Sequence, residues 1–208
     1  EGVIGLNDTV NCTGIYKEIS PALRCWIYPG QHGPLDVVHG IQNSCNVFFS
    51  EMGHRLSMDE NGNYSPELGI EKIRKYASLF GLDETSGIEI AEREPQMTYS
   101  NVQLSRYITA VANKGTVFKL SLLDKMTDSQ GNLLEDFTPE VRSVIDVKDS
   151  TWNAVHTGMR RVITDSSAKS IFADLPVAVA GKTGTAQENL NRANHGFFIS
   201  FAPFGNPE

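Results

Sequence analysis

The stretch from Ala178 to Gln187, Ala-Val-Ala-Gly-Lys-Thr-Gly-Thr-Ala-Gln, constrains this chain more than any other. Small and β-branched residues lead into it with the two-residue period of a strand, Val177 and Val179 facing one way, Ala178 and Ala180 the other. Gly181 and Gly184 bracket Lys182 and Thr183 and withhold side chains where a ligand would lie along the backbone. Lys182 supplies a positive charge, and Thr183 and Thr185 carry hydroxyls on one face. Together they make a strand suited to holding a carboxylate. A lone Lys-Thr-Gly arises by chance often, so other residues must decide its meaning.

At 208 residues the chain is one domain or a large piece of one, long enough for a core. Its net charge of −7 argues against a nucleic-acid partner, since no basic stripe is available to meet a phosphate backbone. No apolar run approaches the roughly 18 residues of a membrane span, and no signal peptide is visible. The chain begins at Glu1, so a membrane anchor upstream stays compatible with it. Cys12, Cys25 and Cys45 are too few for a disulfide scaffold, and their spacing matches no zinc pattern. Cys12 and Cys25 either pair in an oxidising compartment or remain free thiols; spacing alone cannot place their α-carbons.

Residues 1–33 lack periodicity and read as an irregular surface stretch. From Pro34, in a first-turn position, helical spacing runs through Leu35, Val38, Ile41 and Gln42. The helix pauses at Asn43-Ser44-Cys45-Asn46 and resumes with Val47, Phe48, Met52 and Leu56 as its buried face. Two helices joined at this polar corner project its side chains together. An amphipathic helix follows over 66–80, with Leu68, Ile70, Ile73, Tyr76, Ala77 and Phe80 inward and Gly81 as its stop. Gly87–Ile90 reads as a short strand. Ser100 to Asn113 is a helix that opens on a capping box, Ser100 with Gln103. Residues 116–127 and 132–137 read as a β-hairpin around Asp128–Gly131. Asp149 to Ile163 is a helix with Trp152, Val155, Met159 and Val162 inward, and a short helix follows over 167–172. The strand within His195 to Phe204 is apolar on both faces, the composition of a central strand.

Ser44-Cys45-Asn46 at a helix corner followed by Lys182-Thr183-Gly184 on a strand is a far more specific match than either motif alone. Dense likeness surrounds them: Cys25-Trp26, Gly30-Gln31-His32-Gly33, Val47-Phe48-Phe49, Tyr76 to Gly81, Val102 to Tyr107, and Ala112 to Thr116. Over nearly its whole length the chain resembles class B penicillin-binding proteins, most of all the elongation- and sporulation-type transpeptidases of Firmicutes. The resemblance implies an α+β fold of the penicillin-binding-protein and serine β-lactamase kind, incomplete in this chain. Its antiparallel sheet packs with helices beside an all-helical subdomain. Within a C-terminal portion of that domain, 34–113 would be the mainly helical part, 114–140 the hairpin, and 149–208 a helix with the Lys-Thr-Gly strand and its successor. The remaining strands are expected from beyond both ends, which leaves the strand at Gly196–Phe201 an exposed edge or paired with another chain.

What the resemblance implies for function is a D,D-transpeptidase that cross-links peptidoglycan stem peptides ending in D-Ala-D-Ala and is acylated by β-lactams. Ser44 would relay a proton, Asn46 would bond the substrate amide and steady the nucleophile's lysine, and Lys182 would keep Ser44 in position. Thr183 and Thr185 would hold the terminal carboxylate, with Gly184 between them and the Thr185 N–H forming half of an oxyanion hole. Gln187 would line the acceptor side. No cofactor or metal is needed. A wall-synthesis glycosyltransferase is the implied partner, and the extracytoplasmic face of the bacterial membrane the implied location, with an anchor upstream.

Two departures stand out. No Ser-x-x-Lys precedes Ser44, so the nucleophile is expected upstream of Glu1. The segment from Glu94 to Tyr99 is short for the family, which bears on the acceptor side. Ser166-Ser167-Ala168-Lys169 matches Ser-x-x-Lys literally but falls between the other motifs and reads as a chance match. Cys45 reads as a small buried spacer, Trp26 and Trp152 as packing residues, and the five histidines as scattered, with no ligand set. A sensor or class D-like β-lactamase of the same fold, and a non-catalytic binding module, are the rival readings. A hydrolase needs a base to activate water, and no residue is placed by motif for that role.

Overall fold

The computed structural model describes residues 1–89, 99–186 and 193–207. In chain order the strands and helices are β1 (Val10–Cys12), β2 (Ile15–Tyr16), β3 (Leu23–Arg24), β4 (Gly33–Leu35), α1 (Val37–Gln42), α2 (Asn46–Leu56), α3 (Pro66–Leu79) and α4 (Asn101–Ala112). There follow β5 (Thr116–Phe118), β6 (Lys125–Thr127), β7 (Leu133–Asp136), β8 (Val141–Val144), α5 (Asp149–Thr164), a 3₁₀ turn at Ser167–Ser170, β9 (Ala180–Ala186) and β10 (His195–Phe201). The strands pair antiparallel in twos, β1 with β4, β2 with β3, β5 with β8, β6 with β7 and β9 with β10. No described helix is long and apolar enough to cross a membrane. The chain divides into two compact units, Glu1–Arg74 together with Lys148–Glu208, and Lys75–Val147.

In the first unit the stretch expected to be irregular surface is instead half of a core. Val10 pairs with Leu35 and Cys12 with Gly33, and Val10, Cys12, Tyr16, Cys25, Leu35, Cys45, Val47 and Phe48 are buried together. Strands of two or three residues are too short to show a period, which is why the sequence pattern hides them. Each large side chain buried here contributes about 1.5–3 kcal/mol. The first helix starts later than Pro34, which lies in β4. Asp36 caps α1, its carboxylate accepting the His39 N–H at 2.9 Å, and an acceptor at that position sets the start. α5 runs across α1 and β9, burying Trp152, His156, Met159 and Val162 on one stripe. On α3 the expected inward stripe fails at Ile70 and Ile73, which are exposed, because the helix seats Gly69 against Ser57 instead. β10 is no central strand. It pairs only with β9 among the described residues, and Phe197 and Phe198 are each 43% exposed, the exposed edge that was expected of it.

In the second unit Gly81 ends α3 at φ +68°, and Ser100 opens α4 with a complete capping box to Gln103. Arg106 of α4 is buried and donates to the carbonyls of Gly81 and Thr85, the latter at 3.1 Å. The hairpin is shorter than expected, β6 with β7 around Asp128, whose carboxylate takes the N–H groups of Gln130 and Asn132. Thr116–Phe118 does not extend it but pairs with β8, a partner the sequence did not reveal. Gly87–Glu89 is irregular rather than a strand, and Ile90 and Glu94 to Thr98 lie outside the described residues.

Candidate active site

The corner between α1 and α2 is built by backbone geometry. The Ser44 N–H donates to Ile41 and the Cys45 N–H to Gly40, which folds the chain back on α1. Ser44 itself adopts φ 48°, a left-handed conformation that costs a non-glycine residue about 1–2 kcal/mol. Cys45 is the N-cap of α2, its sulfur 3.4 Å from the Phe48 N–H. The strained residue is held because both neighbours are fixed, one by the end of α1 and one by the start of α2.

Across the unit, β9 carries Lys182 to the same point. The Lys182 Nζ donates to Ser44 Oγ at 2.9 Å, across 138 positions of sequence, and to the Thr183 carbonyl at 2.8 Å. Burial pulls the Lys182 pKa below its ordinary value. Thr183, Gly184 and Thr185 line a cleft of about 760 Å³ together with Ser44 and Asn46. Thr183 and Thr185 share one face of the strand, as the alternation required. Asn46 borders the cleft with its amide donating to the Arg24 carbonyl at 3.2 Å. Gln187 lies outside the described residues.

The two glycines of the motif differ in purpose. A Cβ at Gly181 would stand 2.5 Å from the Phe198 ring and 3.0 Å from the Ile199 carbonyl, so close sheet packing explains that residue. At Gly184 the nearest atom is 3.7 Å away, leaving room for a side chain. Internal packing therefore leaves Gly184 unexplained, and it is the glycine that borders the cleft.

What holds corner and strand in register is the contact between α1 and α5. Gly158 lets the helices close so far that a Cβ there would lie 2.8 Å from the Ile41 Cβ. Asp36 meets His39 Nδ1 at 2.7 Å, and His39 Nε2 receives Arg161 Nη1 at 2.7 Å, which places the imidazole proton on Nδ1. Burial opposes ionisation of Asp36, but the amide and ring of His39 outweigh it and lower its pKa.

Of three residues read from the sequence, Trp26 and Ser166 keep their reading and His32 does not. Trp26 packs at the surface: it is 63% exposed, its ring edge-on to His32 at 5.2 Å, anchored by its Nε1–H to the Asn43 carbonyl at 2.8 Å, and it borders the cleft. Ser166 also reaches the cleft, yet its hydroxyl donates to the Val162 carbonyl and caps Ala168 at 3.1 Å. Lys169 lines a separate groove, so the literal Ser-x-x-Lys is a cap and not a nucleophile with its base. His32 is no isolated ring. Its Nδ1 lies 3.5 Å from Cys12 Sγ and 3.7 Å from Cys25 Sγ, and with Cys45 these donors all sit within 4.8 Å of one another, a set able to hold a metal ion. All three cysteines are free and buried, so Cys12 and Cys25 form no disulfide.

The profile described as "Penicillin binding protein transpeptidase domain" matches residues 1–208. This chain belongs to that family. Among curated relatives, penicillin-binding protein 2A of Bacillus subtilis is 26% identical over 85% of this chain and 30% of its own length. The peptidoglycan D,D-transpeptidase MrdA of Haemophilus influenzae is 24% identical over 100% of this chain and 37% of its own. The chain thus spans about a third of the length of these relatives. A solved chain from a study titled "Structural coordination of polymerization and crosslinking by a peptidoglycan synthase complex" superposes with a TM-score of 0.82 at 19% identity, over 98% of this chain and 37% of that one. The fold of this transpeptidase-family chain is therefore the α+β fold that the motifs implied.

Proposed function

We propose that this chain is part of a D,D-transpeptidase that cross-links peptidoglycan stem peptides through an acyl-serine intermediate and is acylated by β-lactams. The observation that supports this most is the 2.9 Å bond from Lys182 to Ser44, which joins the two motifs at the edge of one cleft. A lysine lowered by burial beside a hydroxyl provides a path for a proton to or from a leaving amine. Thr183 and Thr185 hold the substrate's terminal carboxylate, Asn46 bonds its amide, and the Thr185 N–H serves the oxyanion. Gln187 is assigned to the acceptor side.

The nucleophile is assigned to a Ser-x-x-Lys outside this chain, because Ser44 serves as relay and Ser166 as cap. Binding without a nucleophile gives reversible occupancy and no turnover. The whole protein is placed at the extracytoplasmic face of a bacterial membrane, with a glycosyltransferase as partner. The family's name and the synthase complex that contains a similar chain support both. Fluorescent penicillin, denaturing electrophoresis and mass mapping test the reading. Full-length protein labels on a Ser-x-x-Lys serine, the present chain alone stays unlabelled, and full-length Ser44→Ala labels slowly. Full-length protein that binds but never labels is a binding module; a label on Ser166 overturns the assignment of roles.

A further inference from the structure

We infer that His39 is a positioning residue for the acylation step of the proposed transpeptidase, and that it holds the Ser44 corner against α5 only while its imidazole is neutral. The acylation step is taken from the proposed function; the geometry of the ring is independent of it. Asp36, the N-cap of α1, takes the His39 backbone N–H at 2.9 Å and meets the ring at Nδ1, 2.7 Å away. On the other side Arg161 of α5 meets Nε2 at 2.7 Å. A guanidinium can only donate, so Nε2 carries a lone pair and the ring proton stands on Nδ1. The backbone relays this to the cleft. The His39 carbonyl accepts both the backbone N–H and the side-chain amide of Asn43, each at 2.9 Å, and the Asn43 carbonyl accepts the Trp26 indole. Ser44 follows directly and receives Lys182 at 2.9 Å. On α5, Val162 stands next to Arg161, lines the same cleft, and its carbonyl accepts the Ser166 hydroxyl. One imidazole thus ties the end of α1 to the helix that carries Val162 and Ser166 to the cleft.

Proton uptake turns this contact from attraction to repulsion. The His39 side chain is 40% exposed, so solvent delivers the proton directly to Nε2. The ring then donates from both nitrogens, and Nε2–H faces Arg161 as donor against donor and cation against cation. Asp36, whose pKa lies below its ordinary 3.8, stays a carboxylate throughout and keeps the ring on α1. Arg161 is the partner that leaves, and Asp165, 3.9 Å from its Nε, is placed to take it. The other groups around the ring do not replace the tie. Arg160 donates to the Val179 carbonyl at 2.7 Å, His156 packs on Phe201, and β4, which also touches α1, holds only Gly33, Pro34 and Leu35. Gly158 and Ile41 keep the two helices packed, so what is lost is position and not the fold. His39 touches neither substrate nor Lys182 and acts through the end of α1 alone.

The test is the rate of fluorescent-penicillin labelling of full-length protein, followed from about pH 8 down to about pH 5, the range in which imidazole is the ordinary side chain that changes charge. His39→Gln keeps an acceptor for Arg161 and cannot titrate; His39→Asn is too short to reach Arg161. At the alkaline end His39→Gln should label within about 2-fold of wild type. His39→Asn should label about 10-fold slower at saturating penicillin, with half-saturation unchanged, a fraction of the roughly 10²-fold cost of a 1 Å misplacement. On acidification wild type should fall about 10-fold further than His39→Gln; their ratio is the readout, because Lys182 and every other titrating group is common to both. Selective ¹⁵N-histidine spectra of the wild-type protein should show His39 protonated at Nδ1 alone at the alkaline end, and at Nε2 as well on acidification. A ratio that stays flat with pH, His39→Asn labelling at the wild-type rate, or a neutral ring protonated at Nε2 overturns the role of His39, the last whether or not the variants fold. Full-length protein that never labels overturns the transpeptidase reading and the positioning role with it, an outcome distinct from labelling that ignores His39.

Discussion

Replacing Gly158 tests the claim that helix packing, far from any substrate, sets the Ser44–Lys182 bond. A Cβ at 158 would meet the Ile41 Cβ at 2.8 Å, Cγ2 at 2.9 Å and the Val38 carbonyl at 3.1 Å. Two of these atoms belong to backbone or are fixed to it, so no rotamer change relieves the contact. Carbon atoms rest at ~3.5–4.0 Å, so α1 must back away by about 1 Å. Overpacking of this kind costs about 1–3 kcal/mol, and Gly→Ala in a helix returns about 1 kcal/mol, leaving a net loss of about 0–2 kcal/mol. Gly158→Val adds bulk without that return and should lose about 3 kcal/mol. Because Ile41 lies three residues before Ser44, a 1 Å shift would stretch the 2.9 Å bond to Lys182 beyond hydrogen-bond range. Thermal melting and the penicillin labelling rate of the full-length protein read the two effects. Gly158→Val should melt earlier and label about 10²-fold slower. Gly53→Ala, on an open face of α2 with nothing within 4 Å, is the control and should melt slightly later. A Gly158→Val protein that melts and labels like wild type would refute the reasoning.

Gly181→Ala, which drives a methyl against Phe198 and the Ile199 carbonyl, should cost about 1–3 kcal/mol in melting, whereas Gly184→Ala should leave stability unchanged and weaken β-lactam binding. Arg106→Met strands the Gly81 and Thr85 carbonyls inside the second unit and should cost about 3–5 kcal/mol, measured by denaturant unfolding; a loss under 1 kcal/mol would contradict it. Asp36 has a folded pKa below its ordinary 3.8, so it contributes stability above that pH and loses it as pH falls through the folded value. Asp36→Asn should therefore flatten the acid limb of the melting profile below about pH 4. Lys182 is the reverse case: its folded pKa lies below 10.5, the unfolded chain binds more protons between the two values, and stability should rise with pH there. Lys182→Met should abolish that rise.

What could be read from the residues alone is what depends on near neighbours. The capping box at Ser100, the stop at Gly81 and the turn at Asp128 are set by bonds spanning four residues or fewer. The Lys182 strand and the Ser44 corner were legible because a strand period and a helix break are local patterns, and the order of two short motifs supplied the family. Tertiary structure decided everything that pairs distant segments. Thr116–Phe118 takes β8 as partner because strand pairing follows the packing of the unit, not the nearest hairpin. Ser166 and Trp26 face the cleft because α5 and the turn after β3 bring them there, and no feature of their neighbours encodes that. The cysteines show the reason most directly. Spaced far outside any short ligand motif, they meet only because β1 pairs with β4 in the register that sets Cys12 opposite Gly33, beside His32, while the cap of α2 delivers Cys45 from the other side.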